Sequence, residues 1–172
     1  MKNIFFTSDH HFGHKNIIKF SNRPFESVEE MDETMIERWN EKVGPNDDVY
    51  HLGDVALCSP NKLQKILDRL NGNIHLIKGN HEKSAKQCQD QFVWVKDYHE
   101  LKVQDDEFEK GSQLIVLLHY GMRVWNKAHW GSYHLYGHSH GMLADDPKMH
   151  SFDVGVDCHD FYPLSYLSLI HI

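Results

Sequence analysis

The chain is short of several things, and each shortage removes a class of function. It has three cysteines, Cys58, Cys88 and Cys158, an odd number without C-x-x-C spacing. That pattern supports neither a disulfide framework nor a structural zinc site, so buried reduced thiols are expected. No apolar run is long enough to span a bilayer, and Asp9 interrupts the N-terminal apolar stretch before it could serve as a signal peptide. The expectation is a cytoplasmic protein without membrane contact. A basic excess is missing too: the formal charge is −7, which argues against a broad cationic face for long nucleic acid. There is no Walker-type loop, separate cap domain, Pro/Gly/Ser linker, low-complexity tract or internal repeat. At 172 residues and 40% hydrophobic, the sequence can bury one sizeable core, and a single domain over 1–172 is expected.

Histidine is plentiful, with fifteen residues, and neutral imidazole is the commonest metal-binding side chain. Val49-Tyr50-His51-Leu52 reads as a buried strand that stops at Gly53-Asp54. Four other strand-like runs also end in groups of metal-ligand type. Asp9 and His11 follow the first run, Asn80 and His81 follow the run at 74–79, His119 follows 114–118, and His138 and His140 follow 133–137. Loops at the carboxyl ends of strands converge on one edge of a sheet, where ligands collect. Asp54 is the hub of this set. Asp9 and His11 stand two apart and, on extended backbone, point to the same side, so that they can share a metal, while His10 points away and is structural.

The first half reads as strand, helix, strand, helix, strand. A strand is predicted at 3–8, a short helix near 15–20 and a long helix over 27–43, with Ser27 and Glu30 as a capping box and Trp39 on its apolar stripe. A second helix is predicted from Ser59-Pro60 to residue 70, and a strand at 74–78. A further helix after Asn80-His81 would offer a positive N-terminus. The second half is richer in strands, at 92–96, 98–103 and 113–118, the last two joined by a turn over 104–112. Residues 119–131 form a loop with Arg123, Trp125, His129 and Trp130. Two more strands are predicted at 152–156 and 164–172, with Asp157, His159 and Asp160 in the turn between them, a solvated loop in preference to the rim of the site. His14 either packs at a helix start or reaches toward a substrate phosphate; Arg123 either clamps phosphate or lies free on the surface. Trp125 and Trp130 are expected to pack beneath their loop in preference to stacking a base or sugar.

As an ordered set, Asp-x-His, Gly-Asp, Gly-Asn-His-Glu, an isolated histidine and Gly-His-x-His resemble the five blocks of the calcineurin-like metallophosphoesterase superfamily. The closest likeness is to its small single-domain bacterial and phage-type members. The resemblance implies an α/β protein, a four-layer α/β/β/α sandwich with two mixed sheets and a dinuclear metal site. It implies Asp9, His11, Asp54 and His140 as ligands of one ion, and Asp54, Asn80, His119 and His138 as ligands of the other. Imidazole, carboxylate and amide donors without thiolate suit Mn²⁺ or Fe, with Zn²⁺ also possible. Two such ions lower the pKa of a shared water to about 7, supplying a bridging hydroxide that attacks phosphorus. His81 matches the family's non-ligand histidine at the leaving oxygen, and Asp54 completes the catalytic pair. Glu82 stands where aspartate is usual, which puts its role in orienting His81 in question. The implied substrate is a phosphomonoester or a small phosphodiester, with short oligonucleotides or a catalytically silent scaffold as alternatives. The sequence leaves the oligomeric state unknown.

Overall fold

Short runs such as Ile4-Phe5-Phe6 alternate their side chains between two apolar environments, and this two-sided burial sets the layering. A computed structural model describes residues 2–108 and 111–172. In chain order it has β1 (Ile4–Thr7), α1 (Ile17–Phe20), α2 (Val28–Lys42), β2 (Asp48–His51), α3 (Pro60–Leu67) and β3 (Asn73–Ile77). There follow β4 (Trp94–Lys96), β5 (Tyr98–Gln104), β6 (Ser112–Leu118), β7 (Tyr133–Tyr136), β8 (Ser151–Asp153), β9 (Leu164–Ser165) and α4 (Tyr166–Ile170). The first sheet has the order β4-β3-β2-β1-β9 and the second β5-β6-β7-β8. Both are mixed: β1 to β4 run parallel with β9 antiparallel, and β5 runs antiparallel to a parallel β6-β7-β8 set.

One face of the first sheet, with Phe5, Val49, Ile74 and Leu76, packs against α2 and α3. Helix α2 starts where Ser27 Oγ accepts the Glu30 N–H, while the Glu30 carboxylate accepts the Glu26 N–H. Its Met31, Met35 and Trp39 are fully buried, and Trp39 Nε1 donates to the Asn71 carbonyl at 2.9 Å. The other face, with Phe6, Tyr50, Leu52 and Ile77, meets Val103, Ile115, Leu117 and Leu135 of the second sheet. The outer face of that sheet is covered thinly. His134 there is fully buried beneath Trp125, 5.3 Å away, in a loop whose only helical part among the described residues is a 3₁₀ turn at Ala128–Trp130.

Several elements differ from the sequence expectation. No α-helix follows Asn80-His81 before β4, where two 3₁₀ turns at Ala85–Gln87 and Gln89–Gln91 stand in place of the expected helix and its N-terminus. Helix α3 ends at Leu67, where the Asp68 N–H bonds back to the Gln64 carbonyl. The tail is strand only at Leu164–Ser165; Ser165 then caps α4, which buries Tyr166 and Leu169 at helical spacing. Of the three free cysteines only Cys88 is buried, and Cys158 is exposed. The β5–β6 hairpin is present, with Glu109 and Lys110 of its turn outside the described residues. No helix among the described residues is long and apolar enough to cross a membrane.

Candidate metal centre

Because β1, β2 and β3 run parallel, Asp9, Asp54 and Asn80 emerge at one edge, and parallel β6 and β7 deliver His119, His138 and His140 to meet them. Two groups of donors result. Asp9, His11 and His140 place one ligand atom each within 4.8 Å of one another, and so do Asp54, His119 and His138. His11 Nε2 lies 3.8 Å from Asp9 Oδ1 and 3.5 Å from Asp54 Oδ2, and His119 Nε2 lies 3.7 Å from Asp54 Oδ2. These distances are long for hydrogen bonds but suit donors about 2 Å from a shared cation. Asp54 thus faces both groups. Asn80 Oδ1 joins the second, 3.0 Å from both His119 Nε2 and His138 Nδ1. Asp9 Oδ1 and both ring nitrogens of His11 are buried without hydrogen-bond partners, an arrangement that fits a cation and costs free energy otherwise.

The backbone that presents these groups is not extended. Asp9, His11, Asp54, His138 and His140 all have φ between 47° and 66°, the left-handed region that non-glycine residues rarely enter. This corrects the extended reading of Asp9 and His11: they reach one site because the chain kinks at each. Ladder-like bonds hold the kinks, from Asp9 N–H to the Gly53 carbonyl and from His11 N–H to the Asp54 carbonyl. The approach of β2 to β3 demands glycine. A Cβ on Gly79 would stand 2.2 Å from Asp54 Oδ1, and one on Gly53, at φ 100°, would stand 2.5 Å from Gly79 N.

Neighbouring groups set the protonation. His119 Nδ1 faces the Leu52 carbonyl at 2.6 Å, so it carries the proton and leaves Nε2 free to ligate. Burial would raise Asp9, but the facing His11, His119, Ser8 and His140 outweigh it and bring its pKa down to about 2. Glu82 is buried and does not orient His81. Its Oε1 accepts the N–H groups of Gly79 and Asp54, tying the ends of β2 and β3 together, and burial above all pushes its pKa up to about 7. The His81 N–H donates to Asp54 Oδ1 at 2.8 Å, and its exposed ring lies 5.8 Å from His11. His10 lies in the core, stacked on Phe12.

Arg23 and Tyr120 escape the sequence reading, which places Asp157 in a solvated loop in preference to the rim of the site. Asp157 is not in a solvated turn: its Oδ2 receives His140 Nδ1 at 2.7 Å, and Arg23 grips both its oxygens. The Ser8–Gly155 bridge carries this segment to the site. Tyr120 sets its ring 4.9 Å from His119 and 4.8 Å from His138. Arg23 and Asp157 belong to no short motif, whereas Tyr120 directly follows a candidate ligand and could have been suspected. His14 lies at the edge of the first group, its ring 5.5 Å from His11 and its Nδ1 unpartnered. Burial, then His11 and His81, lower its pKa. Arg123 is exposed and makes no ion pair or hydrogen bond with any described residue. Trp125 packs as expected; Trp130 is 65% exposed. His159 Nε2 bonds the Asp153 carbonyl and Asp160 pairs with Arg38.

Comparison with known proteins places this geometry. An uncharacterized protein of Methanocaldococcus jannaschii is 35% identical over 173 residues, covering 96% of this chain and 88% of that one. The gene 66 protein of Mycobacterium phage L5 is 41% identical over 86 residues, 48% of this chain and 41% of its own. The crystal structure of a protein of unknown function from Aquifex aeolicus superposes with a TM-score of 0.75 over 99% of both chains at 19% identity, a likeness of fold. The family model described as the calcineurin-like phosphoesterase superfamily domain matches residues 3–152. The chain belongs to the calcineurin-like phosphoesterase superfamily.

Proposed function

We propose that this protein is a phosphoric ester hydrolase that works with two divalent ions, Mn²⁺ or Fe in preference to Zn²⁺, on a phosphomonoester or small phosphodiester. The observation that carries the reading is the pair of donor groups that share Asp54 at one loop edge. When bound, the ions supply a water that ionises near neutral pH and neutralise charge on the phosphoryl oxygens. Asp9, His11, Asp54 and His140 hold one ion; Asp54, Asn80, His119 and His138 hold the other. His81 stands beside this edge on the solvent side and donates a proton to the leaving oxygen as the P–O bond breaks. His14 and Arg123 contact the phosphate from the rim. No described residue pairs with the Arg123 guanidinium, which leaves its five donors available.

The formal charge of −7 supports a small ester over long nucleic acid, the thiolate-free ligand set supports Mn²⁺ or Fe, and three free cysteines accord with a reducing, cytoplasmic setting. The test is hydrolysis of a chromogenic phosphodiester and its monoester counterpart by metal-stripped protein after Mn²⁺ is restored, beside Asp54→Asn. Activity that returns with metal and falls at least about a hundredfold in the variant supports the assignment. Absence of turnover of either ester by protein carrying two ions favours the scaffold alternative. Cleavage confined to short oligonucleotides favours the nuclease alternative.

A further inference from the structure

Arg23 lies far in sequence from every candidate ligand except Asp9 and His11, and its side chain has no solvent exposure. All of its donors are engaged. Nε and Nη2 grip Asp157 at 2.8 and 2.9 Å; Nη2 also donates to the Asp9 carbonyl at 2.7 Å. Nη1 donates to the His10 carbonyl at 2.8 Å and lies 3.5 Å from Met31 Sδ. No N–H is left over for a substrate, so this arginine acts inward. Its partner Asp157 passes the effect on, because Oδ2 also receives His140 Nδ1 at 2.7 Å. With the proton fixed on Nδ1, the Nε2 lone pair of His140 is directed to the side where Asp9 Oδ1 stands 3.9 Å away. The same guanidinium holds the carbonyl of Asp9, one of the kinked positions.

The second group has no such arginine–carboxylate pair among the described residues, its His119 being oriented by the Leu52 carbonyl. His138 is exposed, and its Nδ1 faces Asn80 rather than a carboxylate. We infer that Arg23 and Asp157 are positioning residues for one half of the site: they lock the His140 tautomer and the Asp9 backbone, and so set the affinity of the Asp9–His11–His140 group alone. Asp157 lies beyond residues 3–152, the part of the chain that the family model matches. A pair that served only the fold would lower stability and leave the two ions equally affected.

The inference rests on the two-ion reading, and its test separates the two. Mn²⁺ is titrated into metal-stripped wild type, Asp157→Asn and Arg23→Lys, and both affinities are measured by calorimetry; circular dichroism of the metal-free proteins reports the fold. Asparagine keeps one acceptor oxygen and cannot serve His140 and both arginine donors together. The expected result is two ions in each protein, one of them weakened about 10–100-fold in Asp157→Asn and the other held within about threefold. Arg23→Lys shifts the same ion in the same direction. Equal loss at both ions, or loss at neither, overturns the positioning role while leaving the two-ion reading intact. A wild type that takes up fewer than two ions overturns the two-ion reading. Should the variants not fold, wild-type protein with ¹⁵N-labelled histidine decides, free of metal and with Zn²⁺. A protected proton on His140 Nδ1, assigned by its loss in His140→Ala, supports the lock, and an unprotonated Nδ1 refutes it.

Discussion

His10 and His11 are neighbours in the chain, and their surroundings give them opposite duties. His11 turns its unpartnered Nε2 toward Asp9 and Asp54, whereas His10 stacks on Phe12, lies tilted against Trp39 and bonds His51 at 2.9 Å. The Gly53 N–H donates to His51 Nδ1, so the His51 proton sits on Nε2 and is donated to His10 Nδ1. Both rings are therefore neutral in the fold. Burial pushes His51 down to about 3, against the raising effect of Asp9, and burial then His51 push His10 well below its usual range. A histidine with a depressed folded pKa binds its proton better when unfolded. Its stabilising effect is complete above about pH 6.5 and is lost as the pH falls toward the folded value. Denaturant titrations of metal-free protein between pH 7.5 and 4.5 are expected to show stability falling by up to about 1.4 kcal/mol per pH unit for each histidine. His51→Gln keeps an acceptor for Gly53 and a donor for His10, and it should reduce that slope by about one proton.

The ends of β2 and β3 are pressed together at glycine, and Glu82 ties both. Gly79→Ala forces a methyl group into Asp54, so a stability loss of about 1–3 kcal/mol by chemical denaturation is expected, with weakened uptake of both ions because Asp54 serves both. At this level the sequence was most readable. The apolar stripe of α2, the caps at Ser27 and Ser59 and the polar ends of strands report local physics, so the elements and their candidate ligands could be read without a structure. Left-handed kinks at Asp9, His11, Asp54, His138 and His140 could not, because aspartate and histidine there carry no glycine signature. Nor could α4, whose five residues are as apolar as a strand and are helical because Ser165 caps them and Tyr166 and Leu169 fill the space between the sheets. Asp157 looked like a turn residue because its partner Arg23 lies 134 positions away.

Across the whole molecule, donors from both sheets meet at one edge, where Asp9 Oδ1 and the His11 nitrogens are buried without hydrogen-bond partners. Metal-free protein should melt lower, and Mn²⁺ at a hundred times its dissociation constant should add about 2.7 kcal/mol for each ion bound, read as a concentration-dependent rise in Tm. The excess of negative charge was visible in the composition, but which carboxylates gather was set by strand order alone.

The long span from β1 to the segment beside Gly155 also has a meaning for synthesis. Ribosomes add about 5–20 residues each second, so Asp9 and His11 emerge roughly 7–26 s before His138 and His140, beyond β7, exist to join them. Asp157 follows His140 by about another 1–3 s. A cation caught early meets only two or three donors of either group, and His140 is not yet oriented by Asp157. On the two-ion reading proposed above, loading with metal accordingly waits until the segment that carries Asp157 has been made.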